Sequence, residues 1–251
     1  MAIRMSSCVR DCAAMLCWLS TPCISHASVV VDGTRVVYPS NKREVSVNLR
    51  NVGDAPSLVQ VWIDAGSDQS RPGDAKVPFA LTPPLFRLDP AKGQTLRLIY
   101  MQDPLPSDRE TVFWLNVLDI PPRAPTNPDA PNRLEMAFRH RLKLFFRPAG
   151  LMGNPADAAA AVIWTIIRHD GAAFLEARNP TAFDVSFIDA AVTVGTTTNS
   201  TRLDMLRPFA TSQFPLSIAN TRYVGRVAVH YTVVNDFGAV MPGDATATLV
   251  P

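Results

Sequence analysis

Between Arg133 and Arg147 the chain places five cations, Arg133, Arg139, Arg141, Lys143 and Arg147, among Leu134, Met136, Phe138, Leu142, Leu144, Phe145 and Phe146. Guanidinium and ammonium groups hold carboxylates or phosphates through charge-assisted hydrogen bonds, Arg as a planar fork and Lys as a point charge. Three chemistries fit this pattern. One is an ordinary solvated strand face. A second is a nucleic-acid patch, which an export signal would argue against. The third is a strand at a sheet edge that presents apolar side chains outward, with cations gripping a carboxylate. A strand this apolar is an aggregation hazard at an edge unless a partner uses it. The residues alone leave the choice open.

No other constellation suggests chemistry. His26, His140, His169 and His230 match no ligand spacing or nucleophile elbow, and the last three read as structural histidines in or beside strands. There is no Gly-rich phosphate loop and no clustered acid–base set, so neither an enzyme nor a bound metal or cofactor is expected. Asn199-Ser200-Thr201 is a glycosylation sequon by letter only.

The elements that must position these cations begin after residue 27. Arg4 and Arg10 precede a short apolar run, Cys12 to Leu19, and Ser25-His26-Ala27 supplies small residues where a signal peptidase cuts. We expect a secretory signal over residues 1–27, cleaved after Ala27. All four cysteines, Cys8, Cys12, Cys17 and Cys23, lie within it, so the exported part must rely on its core rather than on disulfides. Of the 251 residues 47% are hydrophobic and 18% charged, with a net charge of +2; a near-neutral chain has no global drive toward nucleic acid or anionic lipid. The longest later apolar run, Ala158 to Ile167, is too short to span a bilayer.

Period-two alternation dominates the chain beyond the signal. Val45, Val47 and Leu49 alternate with polar residues, and Leu58–Ile63, Leu96–Tyr100 and Thr111–Leu118 are similar short runs, the last apolar on both faces. Turn residues punctuate them at sandwich spacing: Pro39-Ser40-Asn41, Asn51 to Asp54, Thr82-Pro83-Pro84 and Asp89-Pro90. A Pro-rich loop, Pro121 to Pro131, leads into a long strand over Leu134–Phe146, and Arg147-Pro148-Ala149-Gly150 ends it. That break predicts two domains, 28–147 and 152–251. The second has weaker strand signals at Ala161–Arg168, Leu175–Arg178, Val185–Ile188, Val192–Val194 and Val227–Val234. It also has a helical turn at Ala156–Ala161 and turns at Asn179-Pro180-Thr181, Gly195–Asn199 and Asn235–Gly238.

Six stretches in this order resemble the periplasmic chaperones of the chaperone–usher pathway, the PapD-like family: Thr34-Arg35-Val36-Val37-Tyr38-Pro39, Thr82 to Leu88, Leu105 to Val117, Arg141 to Pro148, Asn179 to Phe183 and Asn235 to Gly238. The short loop Pro121–Arg133 and the absence of a cysteine pair from the second domain resemble the family's short-loop branch. The resemblance implies an all-β protein of two immunoglobulin-like β-sandwich domains, L-shaped, with a cleft between them. It implies a non-enzymatic periplasmic chaperone that caps pilus or fimbrial subunits by donor-strand complementation and delivers them to an outer-membrane usher.

By the same resemblance, Arg35 and Lys143 bind the subunit's C-terminal carboxylate. Leu134, Met136 and Phe138 are the donor-strand residues, and Glu110, Arg147 and Asp236 form an ionic cluster between the domains. Strict alternation sets Leu134, Met136 and Phe138 opposite Lys143, so a bulge or twist between Phe138 and Lys143, with His140-Arg141 as a fitting place, is expected to reconcile them. Self-capping of the free chaperone as a dimer stays open. The alternative is a secreted immunoglobulin-like binding or adhesin module, which would lack the cation pair in a cleft.

Overall fold

The computed structural model describes residues 28–249 except 75, 124–134, 170, 195–196 and 218–224. The expected signal and Leu134 lie outside the described residues. Among the described residues the first unit has nine strands: β1 (Val29–Val31), β2 (Arg35–Pro39), β3 (Val45–Asn51), β4 (Ser57–Asp64), β5 (Phe79–Thr82), β6 (Leu85–Leu88), β7 (Gly93–Tyr100), β8 (Thr111–Ile120) and β9 (Phe138–Arg147). They form a four-stranded sheet, β1-β3-β7-β5, and a five-stranded sheet, β2-β9-β8-β4-β6. Alternation explains the packing between them. Val47 and Leu49 of β3 and Leu96 and Leu98 of β7 turn inward to meet Val59, Leu115, Val117, Leu144 and Phe146 from the other sheet. Tyr38, fully buried, stacks on Phe146 and meets Phe79 edge-on.

A single 3₁₀ turn (Pro155–Asp157) opens the second unit, capped by the Asn154 side chain, which accepts from the Ala156 N–H. Its strands are β10 (Ile163–His169), β11 (Ala172–Arg178), β12 (Val185–Val194), β13 (Thr197–Arg202), β14 (Met205–Leu206), β15 (Thr211–Leu216), β16 (Arg226–Val234) and β17 (Val240–Leu249). They run as one continuous sheet, β13-β12-β16-β17-β10-β11-β15, with β14 beside β12. The core it encloses centres on Trp164, Ile166, Leu175, Phe187, Val192, Leu206 and Tyr231. Both units are immunoglobulin-like, as expected.

The strand β17 is absent from the sequence reading because Pro242 and Gly243 argue against a strand there. Two packing facts permit it. Pro242 opposes Thr232 of β16, while the parallel pairing of β17 with β10 starts only at Ala247, so the missing proline N–H is not needed on that side. A Cβ at Gly243 would run into the Tyr231 ring, so the aromatic core requires the glycine.

The expected bulge at His140-Arg141 does not occur. The β8–β9 register runs without a shift from Thr111↔Phe146 to Asp119↔Phe138. The expectation assumed that the apolar donor residues and Lys143 share one face. Instead, Phe138 and Lys143 lie on opposite faces, as a regular period of two demands. The strand starts at Phe138, four residues later than expected, so Met136 precedes it and is exposed. The core-facing residues of β9 end at Leu142, and Phe138 stays half-buried.

One feature of β9 positions the site. β8 pairs along one side of it from Phe138 to Phe146, but β2 covers the other side only from Lys143 to Arg147. Among the described residues, the backbone of Phe138–Leu142 therefore presents an unpaired edge that ends where β2 begins.

Candidate functional site: the cleft between the two units

Odd-numbered residues of β9 point away from the first core. Their fates differ. Arg139 donates to Asn116 Oδ1 from Nε (3.0 Å) and Nη2 (2.7 Å) and to the Asp68 carbonyl, and it lies 4.8 Å over the Trp62 ring. Arg141 donates to Asp64 Oδ1 (2.9 Å) and covers the Trp114 ring at 4.3 Å. Asp64 is buried, yet its carboxyl is held below the usual range: burial pushes it up, and hydrogen bonds from Asn116, Gly66, Ser70 and Arg141 outweigh that. Both arginines are thus committed inside the first unit.

Lys143 differs. Its Nζ reaches Ser186 Oγ of β12 at 3.4 Å and the Trp114 ring at 5.8 Å. Directly opposite it in the parallel register stands Arg35. Arg35 donates from Nη1 to the Val234 carbonyl (2.9 Å) and lies 5.7 Å from the Phe145 ring centroid, while its Nε is buried without a hydrogen-bond partner. Among the described residues neither cation has a carboxylate within ion-pair distance. Burial, then the charge of Arg35, lowers the Lys143 pKa; burial lowers that of Arg35, partly offset by Asp236. Two desolvated positive groups without a counter-ion are a ready anion site.

The last outward cation of β9, Arg147, joins the two units. It donates to Glu110 through Nε and to Asp236 through Nη1 (2.7 Å) and Nη2 (3.0 Å), and it covers the Phe183 ring at 5.5 Å. Glu110 sits at the head of β8. Its N–H donates to the Ala182 carbonyl (2.9 Å), and its Oε2 accepts from the Asp184 N–H (2.8 Å). Burial raises the Glu110 pKa despite Arg147, whereas for Arg147 the two carboxylates outweigh burial and raise it. The turn carrying Asp236 is tight: Gly238 adopts φ +82, and a Cβ there would strike Thr34 next to Arg35.

A cavity of about 500 Å³ opens in the cleft between Arg35, Phe145, Asp184, Val233, Asp236 and Met241. Arg35 and Lys143 are thus brought together, as are Glu110, Arg147 and Asp236. Met136 and Phe138 flank the free edge. Asp184, Ser186, Arg207 and the Asp64 network were missed. The one sequence hint for Asp184 is a charged residue set between the Asn179–Phe183 turn and the strand that follows it.

The family described as "Pili and flagellar-assembly chaperone, PapD N-terminal domain" matches residues 28–152, and "Pili assembly chaperone PapD, C-terminal domain" matches residues 157–245. The chain belongs to the PapD-like pilus-assembly chaperones. It is 39% identical over 239 residues to the probable fimbrial chaperone YadV of Escherichia coli, covering 92% of this chain and 95% of the relative. It is 42% identical over 237 residues to the chaperone protein FimB/FhaD of Bordetella pertussis, covering 93% of each. The crystal structure of the YadV chaperone aligns with a TM-score of 0.73 at 38% identity, covering 87% of this chain and 99% of that one. A complex of the Salmonella enterica SafA pilin with the SafB chaperone aligns with a TM-score of 0.70 at 28% identity, covering 88% of this chain and 97% of that one. None of the described helices is long and apolar enough to cross a membrane.

Proposed function

We propose that this chaperone captures a pilus or fimbrial subunit by pairing the subunit's terminal strand with the free edge of β9, and clamps the strand's C-terminal carboxylate between Arg35 and Lys143. The observation that carries this reading is that the unpaired edge runs into two positive groups lacking a counter-ion. A strand added along Phe138–Leu142 must stop at Lys143, because β2 occupies the edge beyond. Cations at that stop favour a carboxylate over an ammonium. They therefore select a strand running parallel to β9, with its C-terminus in the cleft. The buried Nε of Arg35 supplies a donor awaiting an acceptor.

Phe138 and Met136, with Leu134 ahead of them, fill gaps in the incomplete subunit, and the main chain supplies affinity. Phe138 and Lys143 facing opposite ways suits this division, one face meeting the subunit's core and the other its terminus. Glu110, Arg147 and Asp236 set the angle between domains 28–147 and 152–251. Residues 1–27 export the protein to the periplasm, where it hands subunits to an outer-membrane usher. The same free edge would self-cap in a dimer when no subunit is present. No catalytic step is required, since burying the subunit's exposed apolar surface drives capture.

The experiment is co-purification of the exported protein with co-expressed pilus subunits of its own source. Arg35→Ala and Lys143→Ala should each lose the complex while remaining folded monomers. Recovery of the subunit at wild-type yield with both variants would overturn the anchor role.

A further inference from the structure

We propose that Asp184 is a positioning residue for the carboxylate anchor: its buried carboxyl competes with the incoming subunit for the cations of the cleft, so capture strengthens when that carboxyl is protonated. This deepens the anchor reading and rests on it.

The side chain of Asp184 is wholly buried. Its backbone N–H is fixed by Glu110, and Ser186, two residues on, is the group that touches Lys143. Neither carboxyl oxygen has a hydrogen-bond donor. Arg207 reaches only to within 3.5 Å of Oδ1, an ion-pair contact from a half-exposed side chain. A buried carboxylate with no hydrogen bonds is the costly state of this group, and taking up a proton relieves it.

The charged groups around it come from every neighbouring element. Glu110 at the start of β8 repels it, and Lys143 of β9 and Arg207 attract it. Asp204 and Arg35 act on Lys143 in turn, and Arg147 and Asp236 complete the cluster around Glu110. Burial dominates and pushes Asp184 up to about 7, the attraction of Arg207 and Lys143 notwithstanding. Around neutral pH the cleft therefore switches between two charge states. With Asp184 ionised, part of the field of Lys143 is already answered from within the protein. With Asp184 neutral, Lys143 and Arg35 are open to an external carboxylate.

The test uses the full exported chain and synthetic peptides of the C-terminal strand of a pilus subunit that co-purifies with it, with a free carboxylate or a C-terminal amide. For the free acid, affinity should rise roughly tenfold as pH falls from about 8 to about 6, the factor that one unit of coupled pKa supplies. Asp184→Asn should bind at pH 8 as tightly as wild type does at pH 6, with a flat profile. Arg207→Met removes the attraction that favours the ionised form, so it should move the midpoint to higher pH without abolishing the slope. A merely structural role for Asp184 would move neither midpoint nor slope in this pattern.

A wild-type slope retained in Asp184→Asn, with the free acid still preferred over the amide, overturns this inference alone. Equal binding of acid and amide, or of neither, overturns the anchor reading beneath it.

Discussion

Replacing Arg147 by Ala should loosen the joint between the two domains, and the cost is set by the groups the arginine leaves behind. Glu110 is 3% exposed and would lose the one cation it pairs with among the described residues, while keeping the N–H of Asp184. Asp236 would lose a bidentate partner, but its side chain is 33% exposed and water can replace the fork. Stranding one member of a buried ion pair costs about 3–5 kcal/mol. The hydrogen bond that Glu110 keeps and the hydration of Asp236 bring the expectation to about 2–3 kcal/mol.

Much of that penalty is the charge on Glu110, whose carboxyl is already raised by burial. Without Arg147 it rises further, so the penalty is full above the new pKa and fades as pH falls through it. Urea unfolding of wild type and Arg147→Ala at several pH values reads both the size and the slope, and small-angle scattering reads the joint. A loss below about 0.5 kcal/mol, the level of an exposed pair, that does not vary between pH 8 and pH 5 and leaves scattering unchanged would refute the reasoning.

Asp64→Ala should destabilise the first domain by about 3 kcal/mol in urea, because Arg139, Arg141 and Asn116 lose their shared acceptor inside the sheet face. Asp184 is shifted from 3.8 to about 7, so the folded state holds a proton that the unfolded chain releases across that window; wild type should lose stability relative to Asp184→Asn as pH rises through it, read by melting both at each pH. Gly243→Ala should cost about 1–3 kcal/mol by thermal melting, since the new methyl meets the Tyr231 ring. Phe138→Asp should abolish subunit recovery with little change in melting, because Phe138 is half-exposed and outside the core.

The first domain was the more legible half. Its strands alternate cleanly, as β3 does with Val47, Leu49 and Asn51 inward, and turn residues bracket them. The second domain alternates less, and β17 was hidden because Pro242 and Gly243 make sense only against Thr232 and Tyr231, which sequence does not align. The cleft residues were named through resemblance, since Arg35 and Lys143 are 108 positions apart and no local rule pairs them. Alternation by itself gave the right facing for Phe138 and Lys143. The added bulge was wrong because it forced one surface to serve both ends of the partner strand. Asp184 was invisible for a different reason: its character comes from burial beside Glu110 and Lys143, and burial at a joint between domains leaves no periodic mark.

The most direct measurement is amide hydrogen exchange on the chaperone alone and in complex with its subunit. The free stretch of β9 before Lys143 and the outer strand β6 are both edges from which a strand could extend this sheet. Backbone amides within Phe138–Leu142 that face the open side should become protected on binding, while those of Leu85–Leu88 stay as they were. Protection along β6, or unchanged exchange across Phe138–Leu142 in a stable complex, would contradict capture on the β9 edge.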